Sequence, residues 1–141
     1  MREILFRGQD AVTREWIYGC YVDNRDRGRC PPIIVPKNGN PHIYVIPETV
    51  GQFTGLVDRN GKRIFEGDIL CAMTGWSWNG KTRERYLEYV KVIYNSQKAR
   101  FEIFGKLGGS HKALDQAVNK YHATVVGNIY DNPDLMKEII K

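Results

Sequence analysis

The stretch VGQFTGLVDRNGKRIFEGDIL, residues 50–70, decides how this chain folds. It sets three turn devices among short apolar runs. Gly51 to Thr54 and Ile64-Phe65 read as extended pieces around the turn Asp58-Arg59-Asn60-Gly61, where Asn60 and Gly61 both tolerate positive φ and a tight hairpin is expected. Glu66-Gly67-Asp68 then punctuates the chain before a strand from Ile69 to Met73, and Gly67 supplies a bend that a side chain would obstruct. Gly51-Gln52-Phe53-Thr54-Gly55 and Gly127-Asn128-Ile129-Tyr130 both place small residues beside an aromatic one, as expected where two strands cross closely and a ring fills the gap.

Working outward toward the N-terminus, Ile4-Leu5-Phe6 and Trp16-Ile17-Tyr18 are β-prone runs separated by a polar stretch, the pattern of a hairpin with a longer loop. Asp23 to Arg29 alternates acids and arginines and leads into Cys30-Pro31-Pro32, a solvated loop with extended backbone. Ile33 to Val35, the turn Lys37 to Asn40, and His42 to Ile46 read as strand, turn and strand. Pro36 and Pro47 confine those strands to edges or ends, because proline cannot donate to a ladder.

Toward the C-terminus, Trp76, Trp78, Asn79 and Gly80 mark an aromatic, turn-rich loop from Thr74 to Arg85. Tyr86 to Tyr94 is a long strand with Tyr86, Val90, Val92 and Tyr94 on one face and Leu87, Tyr89 and Ile93 on the other. After Asn95-Ser96-Gln97 the residues Ala99, Phe101 and Ile103 alternate with Lys98, Arg100 and Glu102, the signature of a half-buried strand. Ser110 can cap a helix from Lys112 to about Tyr121, the alternative being a mobile loop. Ala123 to Tyr130 reads as strand, and Asn132-Pro133-Asp134 has the cap, first-turn proline and acid of a helix start. That helix should run to Ile140.

Brief strands with glycine corners predict a mainly β chain, a β-rich α+β fold with one or two short helices near its C-terminus. Residues 49–141 should curl into a small barrel, with residues 1–48 a β-rich arm or subdomain. Read together, residues 50–70 and Gly127-Asn128-Ile129-Tyr130-Asp131-Asn132-Pro133-Asp134-Leu135 resemble the YopX family of phage and prophage proteins. The resemblance covers most of the chain. It implies an SH3-type barrel and a phage or prophage setting, and it attaches no activity to named residues.

With 42% apolar and 11% aromatic residues in 141, the chain can bury a core of its own. No apolar run approaches the roughly 18 residues that span a bilayer, and Met1-Arg2-Glu3-Ile4 opens no signal-type segment, so the expectation is a cytoplasmic protein without membrane contact. Cys20, Cys30 and Cys71 form no Cys-x-x-Cys pair, and the bland reading is three free, partly buried thiols. The formal charge of +5 favours polyanions in a salt-sensitive way. Most of the excess lies in one segment, where Lys81, Arg83, Arg85, Lys91, Lys98 and Arg100 outnumber Glu84 and Glu88.

Two constellations could carry chemistry. Glu66 and Asp68, two residues apart, point the same way on an extended backbone and could share a metal or a proton, with Asp58 as the nearby third acid. The structural alternative is that they accept backbone amides at the bend. The second constellation interleaves Trp76, Trp78, Tyr86, Tyr89 and Tyr94 with Lys81, Arg83, Arg85 and Lys91, a composition suited to stacking and holding single-stranded nucleic acid. Its alternative is core aromatics with lysines and arginines snorkelling around them. His42, His111 and His122 show no ligand spacing, and no phosphate loop, nucleophile elbow or dinucleotide fingerprint occurs. No cofactor is implied. The expected function is therefore that of a non-enzymatic accessory protein, acting on an unknown protein partner or as a homo-oligomer. Weak nucleic-acid binding is the alternative, and a metal-dependent hydrolase the third reading.

Overall fold

The computed structural model describes residues 1–24, 28, 30–78, 80–106 and 112–140, and for residues 74–78, 85, 86 and 140 it describes the backbone alone. The fold is mainly β, with two antiparallel sheets and short helices, as the strand-and-glycine pattern predicts. Contacts divide the chain into Met1–Gly55 and Leu56–Lys141.

In the first unit, β1 (Phe6–Gln9), β2 (Trp16–Val22), β3 (Ile33–Pro36) and β4 (Ile43–Tyr44) follow one another antiparallel, and the start of β5 (Gly51–Val57) lies beside β1. Leu5, Ile34, Val45 and Phe53 are buried. A 3-10 turn over Pro47–Thr49 is fixed by Thr49, whose hydroxyl accepts the amide of Gln9 at 2.9 Å and donates to the carbonyl of Ile46 at 2.6 Å. As expected from their prolines, β3 ends at Pro36 and β4 stops before Pro47.

In the second unit, β5 turns back through Asp58 to Gly61 into β6 (Arg63–Phe65). The turn differs from the expected one: Gly61 alone has positive φ, at 81°, and the Asp58 amide meets the Lys62 carbonyl at 2.8 Å. This is the longer hairpin connection in which a regular turn is followed by one left-handed glycine. β7 (Asp68–Trp78), β8 (Arg83–Asn95), β9 (Arg100–Phe104), β10 (Lys112–Ala113) and β11 (Thr124–Asn128) form a sheet in the order β10-β9-β8-β7-β11. Its core is Ile64, Leu70, Ala72, Val90, Val92 and Ile103, closed by Leu114 and Ala117 of α1 (Leu114–Asn119) and by Ala123. The second helix, α2 (Pro133–Ile140), packs on β8. No helix among the described residues is long and apolar enough to cross a membrane.

Four local expectations are corrected. Most of the stretch from Thr74 to Arg85 is strand rather than loop: β7 and β8 stay paired to Trp78↔Arg83, with Thr74 the extra residue of a bulge between Met73 and Gly75, and Gly80 to Thr82 are the bends before β8. The helix expected from Lys112 is shorter, because Lys112 and Ala113 pair with Ile103 and Glu102 of β9 before α1 begins; its proposed cap Ser110 lies outside the described residues, as do Arg25, Asp26, Arg27 and Arg29 of the acid–arginine loop. Ala99 sits in the turn before β9 with φ of 52°. Glu102, placed by alternation on the wet face, is fully buried; its carboxylate accepts from Arg100 Nε at 2.8 Å and Asn95 Nδ2 at 3.2 Å. The Arg100 hydrogen bond, working against burial, holds the Glu102 carboxyl below its ordinary range.

A candidate contact surface

The two motifs that frame the chain are built as hydrogen-bonded corners. Gly67, with φ of 91°, donates its amide to the Val92 carbonyl at 3.0 Å and accepts the Ile129 amide at 2.9 Å, so one residue ties β8 to the end of β11. The Tyr130 ring lies over it, within 3.3 Å of where a Cβ would stand. Asp68 is buried, and its Oδ2 accepts the Phe65 amide at 2.8 Å, the structural role proposed for it. Glu66 is half-buried beside it in the turn.

Asp58 is also fully used. Oδ1 accepts the amides of Asn60 at 2.8 Å and Lys62 at 2.9 Å, and Oδ2 reaches across to the Val125 amide at 2.9 Å. Burial opposes ionisation of this carboxyl, but the Val125, Lys62 and Asn60 amides together outweigh it and lower its pKa. Of the anticipated acid trio, Asp58 and Asp68 are thus turn and register clamps. Among the described residues no three His, Cys, Asp or Glu side chains gather to hold a metal ion.

The second corner is Gly127 to Pro133. Asn128 and Asn132 bond reciprocally: the Asn128 amide donates to Asn132 Oδ1 at 3.1 Å and the Asn132 amide to the Asn128 carbonyl at 2.9 Å. Asn128 Oδ1 accepts the amides of Tyr130 and Asp131, which ends β11 two residues earlier than expected. Asn132 was expected to cap α2 with its side chain, yet that side chain reaches backward. Its carbonyl receives the Leu135 amide at 3.1 Å instead. The small residue at 127 makes room for this amide, not for a ring: a Cβ there would fall 2.3 Å from Asn132 Oδ1.

Of the basic and aromatic constellation, Lys81 and Arg83 are exposed at the tip of the β7–β8 hairpin, and each already engages a neighbouring group. Lys91 stands opposite Ile69 with its ammonium 5.3 Å from the centre of the Phe104 ring. Arg85 is in register with Trp76, and Arg83 with Trp78; the side chains of Trp76, Trp78, Arg85 and Tyr86 lie outside the described residues. Tyr94 stays on the β8 face of Val90 and Val92, opposite Phe101, and packs edge-on against that ring at 5.2 Å, but at the end of the strand it is exposed. Strand alternation puts Arg83, Leu87, Tyr89 and Lys91 on one face of β8, where Leu87 is exposed.

A second surface lies in the first unit, where no contact role was expected. Cross-strand register aligns Cys20 with Val35, Val22 with Ile33, and Ile33 with Tyr44, so these residues share one face of the sheet with Tyr18. On that face Tyr18 is 45% exposed, Val22 45%, Val35 40% and Tyr44 47%, and the Cys20 thiol is open to solvent. Beside it, a groove of about 370 Å³ runs between Trp16, Ile17 and Tyr18 and the β3–β4 connection at Pro36, Lys37 and Ile43. The sequence signal was that β2 carries apolar residues at both parities, Trp16, Tyr18 and Val22 against Ile17 and Tyr21. Periodicity could not say which set would stay uncovered.

Short hydrogen-bonded corners, apolar surface on a small sheet and carboxylates occupied by backbone amides define a β-rich protein whose accessible features are faces. Compared with known protein families, the chain matches one described as "YopX protein" over residues 5–137, and it belongs to that family. Among solved structures it is similar to the crystal structure of protein EF1440 from Enterococcus faecalis, with a TM-score of 0.57 and 21% identity over 96% of this chain and 99% of that one. At that identity the likeness is one of fold. Comparison with curated proteins found no match.

Proposed function

We propose that the protein is a non-enzymatic phage or prophage accessory protein working in the bacterial cytoplasm, where it binds a protein partner or a second copy of itself through the outer face of its first sheet. The observation that supports this is the row of large apolar side chains, Tyr18, Val22, Val35 and Tyr44, exposed together on one face. Contiguous exposed apolar surface of this kind is uncommon on proteins that work alone. The occupied carboxylates of Asp58 and Asp68 weigh against the hydrolase reading. Membership of the YopX family favours the phage setting, and the Gly67 corner with the bulges in β7 and β11 suits a second unit curled in the manner of an SH3-type barrel.

Cys20 supplies the test, because it sits in the middle of the face. Light scattering at tens of micromolar (roughly the range where weak contacts populate) should show a dimer or larger species, and alkylation of Cys20 should slow as concentration rises. Val35→Lys should restore the monomer and the fast alkylation. A wild-type monomer throughout that range removes self-association, and a host-cell pull-down equally rich with Val35→Lys removes the face as the partner site.

The exposure of Arg83 and Tyr89 on the Lys91 face of β8 supports a second reading, weak single-strand binding. It predicts salt-dependent affinity and quenched tryptophan fluorescence, and neither effect at low salt means it should be dropped.

A further inference from the structure

Where α1 ends, two ammonium groups lie near one tyrosine ring. Lys112 Nζ donates to Tyr121 Oη at 2.9 Å and lies 4.5 Å from the centre of the ring. Lys120 Nζ lies 5.7 Å from the same centre. All three residues are held by their backbones. Lys112 is paired with Ile103 across β10 and β9, the Lys120 amide donates to the Gln116 carbonyl at 2.8 Å, and the Tyr121 carbonyl accepts the Met73 amide at 2.9 Å. The Tyr121 ring also packs against the core, so its oxygen occupies a fixed position.

Two like charges around one ring repel, and among the described residues neither lysine is paired with a carboxylate. The local excess is therefore two positive charges and a hydroxyl. Because Oη already accepts from Lys112, its own O–H remains as a donor. The Lys112 hydrogen bond, opposed by burial and helped by the charges of both lysines, lowers the pKa of the phenol and strengthens that donor.

We propose that Lys112, Lys120 and Tyr121 form a binding site for a phosphoryl oxyanion. A tetrahedral phosphate offers acceptors to the two remaining N–H groups of Lys112, to Lys120 and to the Tyr121 hydroxyl, and its dianion balances both lysines. A carboxylate carries half that charge and fewer acceptors. The site is separate from the apolar face of the first unit and independent of its role.

The experiment follows the Tyr121 ring carbon that bears the hydroxyl by NMR in protein carrying labelled tyrosine, assigned with Tyr121→Phe. Sodium phosphate is titrated against sodium chloride at equal ionic strength. Phosphate should give a saturable shift at millimolar concentration and raise the titration midpoint of Tyr121, because a bound anion offsets the lysines. Lys112→Gln risks disturbing β10, so Lys120→Gln, at an exposed side chain, is the deciding variant, and it should weaken phosphate about tenfold. Two further arms separate the sources of the group: thymidine monophosphate carries a terminal dianion, and a short thymidine oligonucleotide without terminal phosphates carries diesters only. A tighter response to the monophosphate assigns a small ester, and a tighter response to the oligonucleotide assigns a nucleic-acid backbone. Phosphate acting no differently from chloride, or equally well on Lys120→Gln, overturns the site.

Discussion

Single residues in this molecule do the work of joining distant strands, and Asp58 shows how. Its two oxygens accept three amides, one of them 67 positions away at Val125. Asp58→Asn keeps one acceptor but turns an NH2 toward a donor, so chemical denaturation should show a loss of about 1–3 kcal/mol. The acid dependence follows from the sign of the shift. The folded pKa is below the unfolded one, so the stabilisation is complete above the ordinary aspartate value of about 3.9 and drains away as pH falls through the lower folded value. Melting curves from pH 5 downward should show this slope, reduced in Asp58→Asn. Gly127→Ala is a purely steric case, with its new carbon meeting Asn132 Oδ1, and equilibrium unfolding should register about 1–3 kcal/mol lost. The sequence marked Gly67 and Asp68 as structural because turn chemistry is local. It could not show that Asn132 would reach backward, since that needs the course of the chain after Tyr130.

At the scale of elements, strands were legible wherever alternation or β-prone runs were clear, as in β8, β9 and the hairpin at Asp58. Thr74 to Arg85 misled because glycine, asparagine and serine are turn-formers, while cross-strand pairing with the start of β8 overrides that preference. Glu102 misled for a related reason: alternation reports direction, and only the contacts of Arg100 and Asn95 show that the outward direction is also covered. β7 has a chemical marker for such cover in Cys71, half-buried opposite Tyr89. Burial pushes its thiol pKa up, whereas Cys20 and Cys30, expected to be partly buried as well, are exposed. A native-state reaction with a disulfide reagent, at protein concentrations too low for self-association, should therefore show two fast thiols and one slow, the slow one becoming fast on unfolding. Three equal rates would contradict the packing of β7.

For the whole molecule, composition and family resemblance led to the β-rich class and to YopX membership, because both draw on patterns spread along the chain. The exposed face of the first sheet was not legible. An apolar residue reads the same whether it will be covered by its own chain, by another, or by nothing. The excess positive charge was visible as a number, but the pairing of Lys112 and Lys120 around Tyr121 depends on a strand and a helix end meeting in space.

The pairing of β7 with β11 carries a consequence for biosynthesis. Residues 68–71 find their second neighbour only in residues 124–128, and Asp58 receives its third amide from the same strand. A nascent chain leaving the ribosome must hold a long hairpin with one unsealed border until that last strand emerges. Stalling or premature termination before residue 124 would leave a sticky, half-finished sheet, so the second unit can close only once residues 124–128 have emerged.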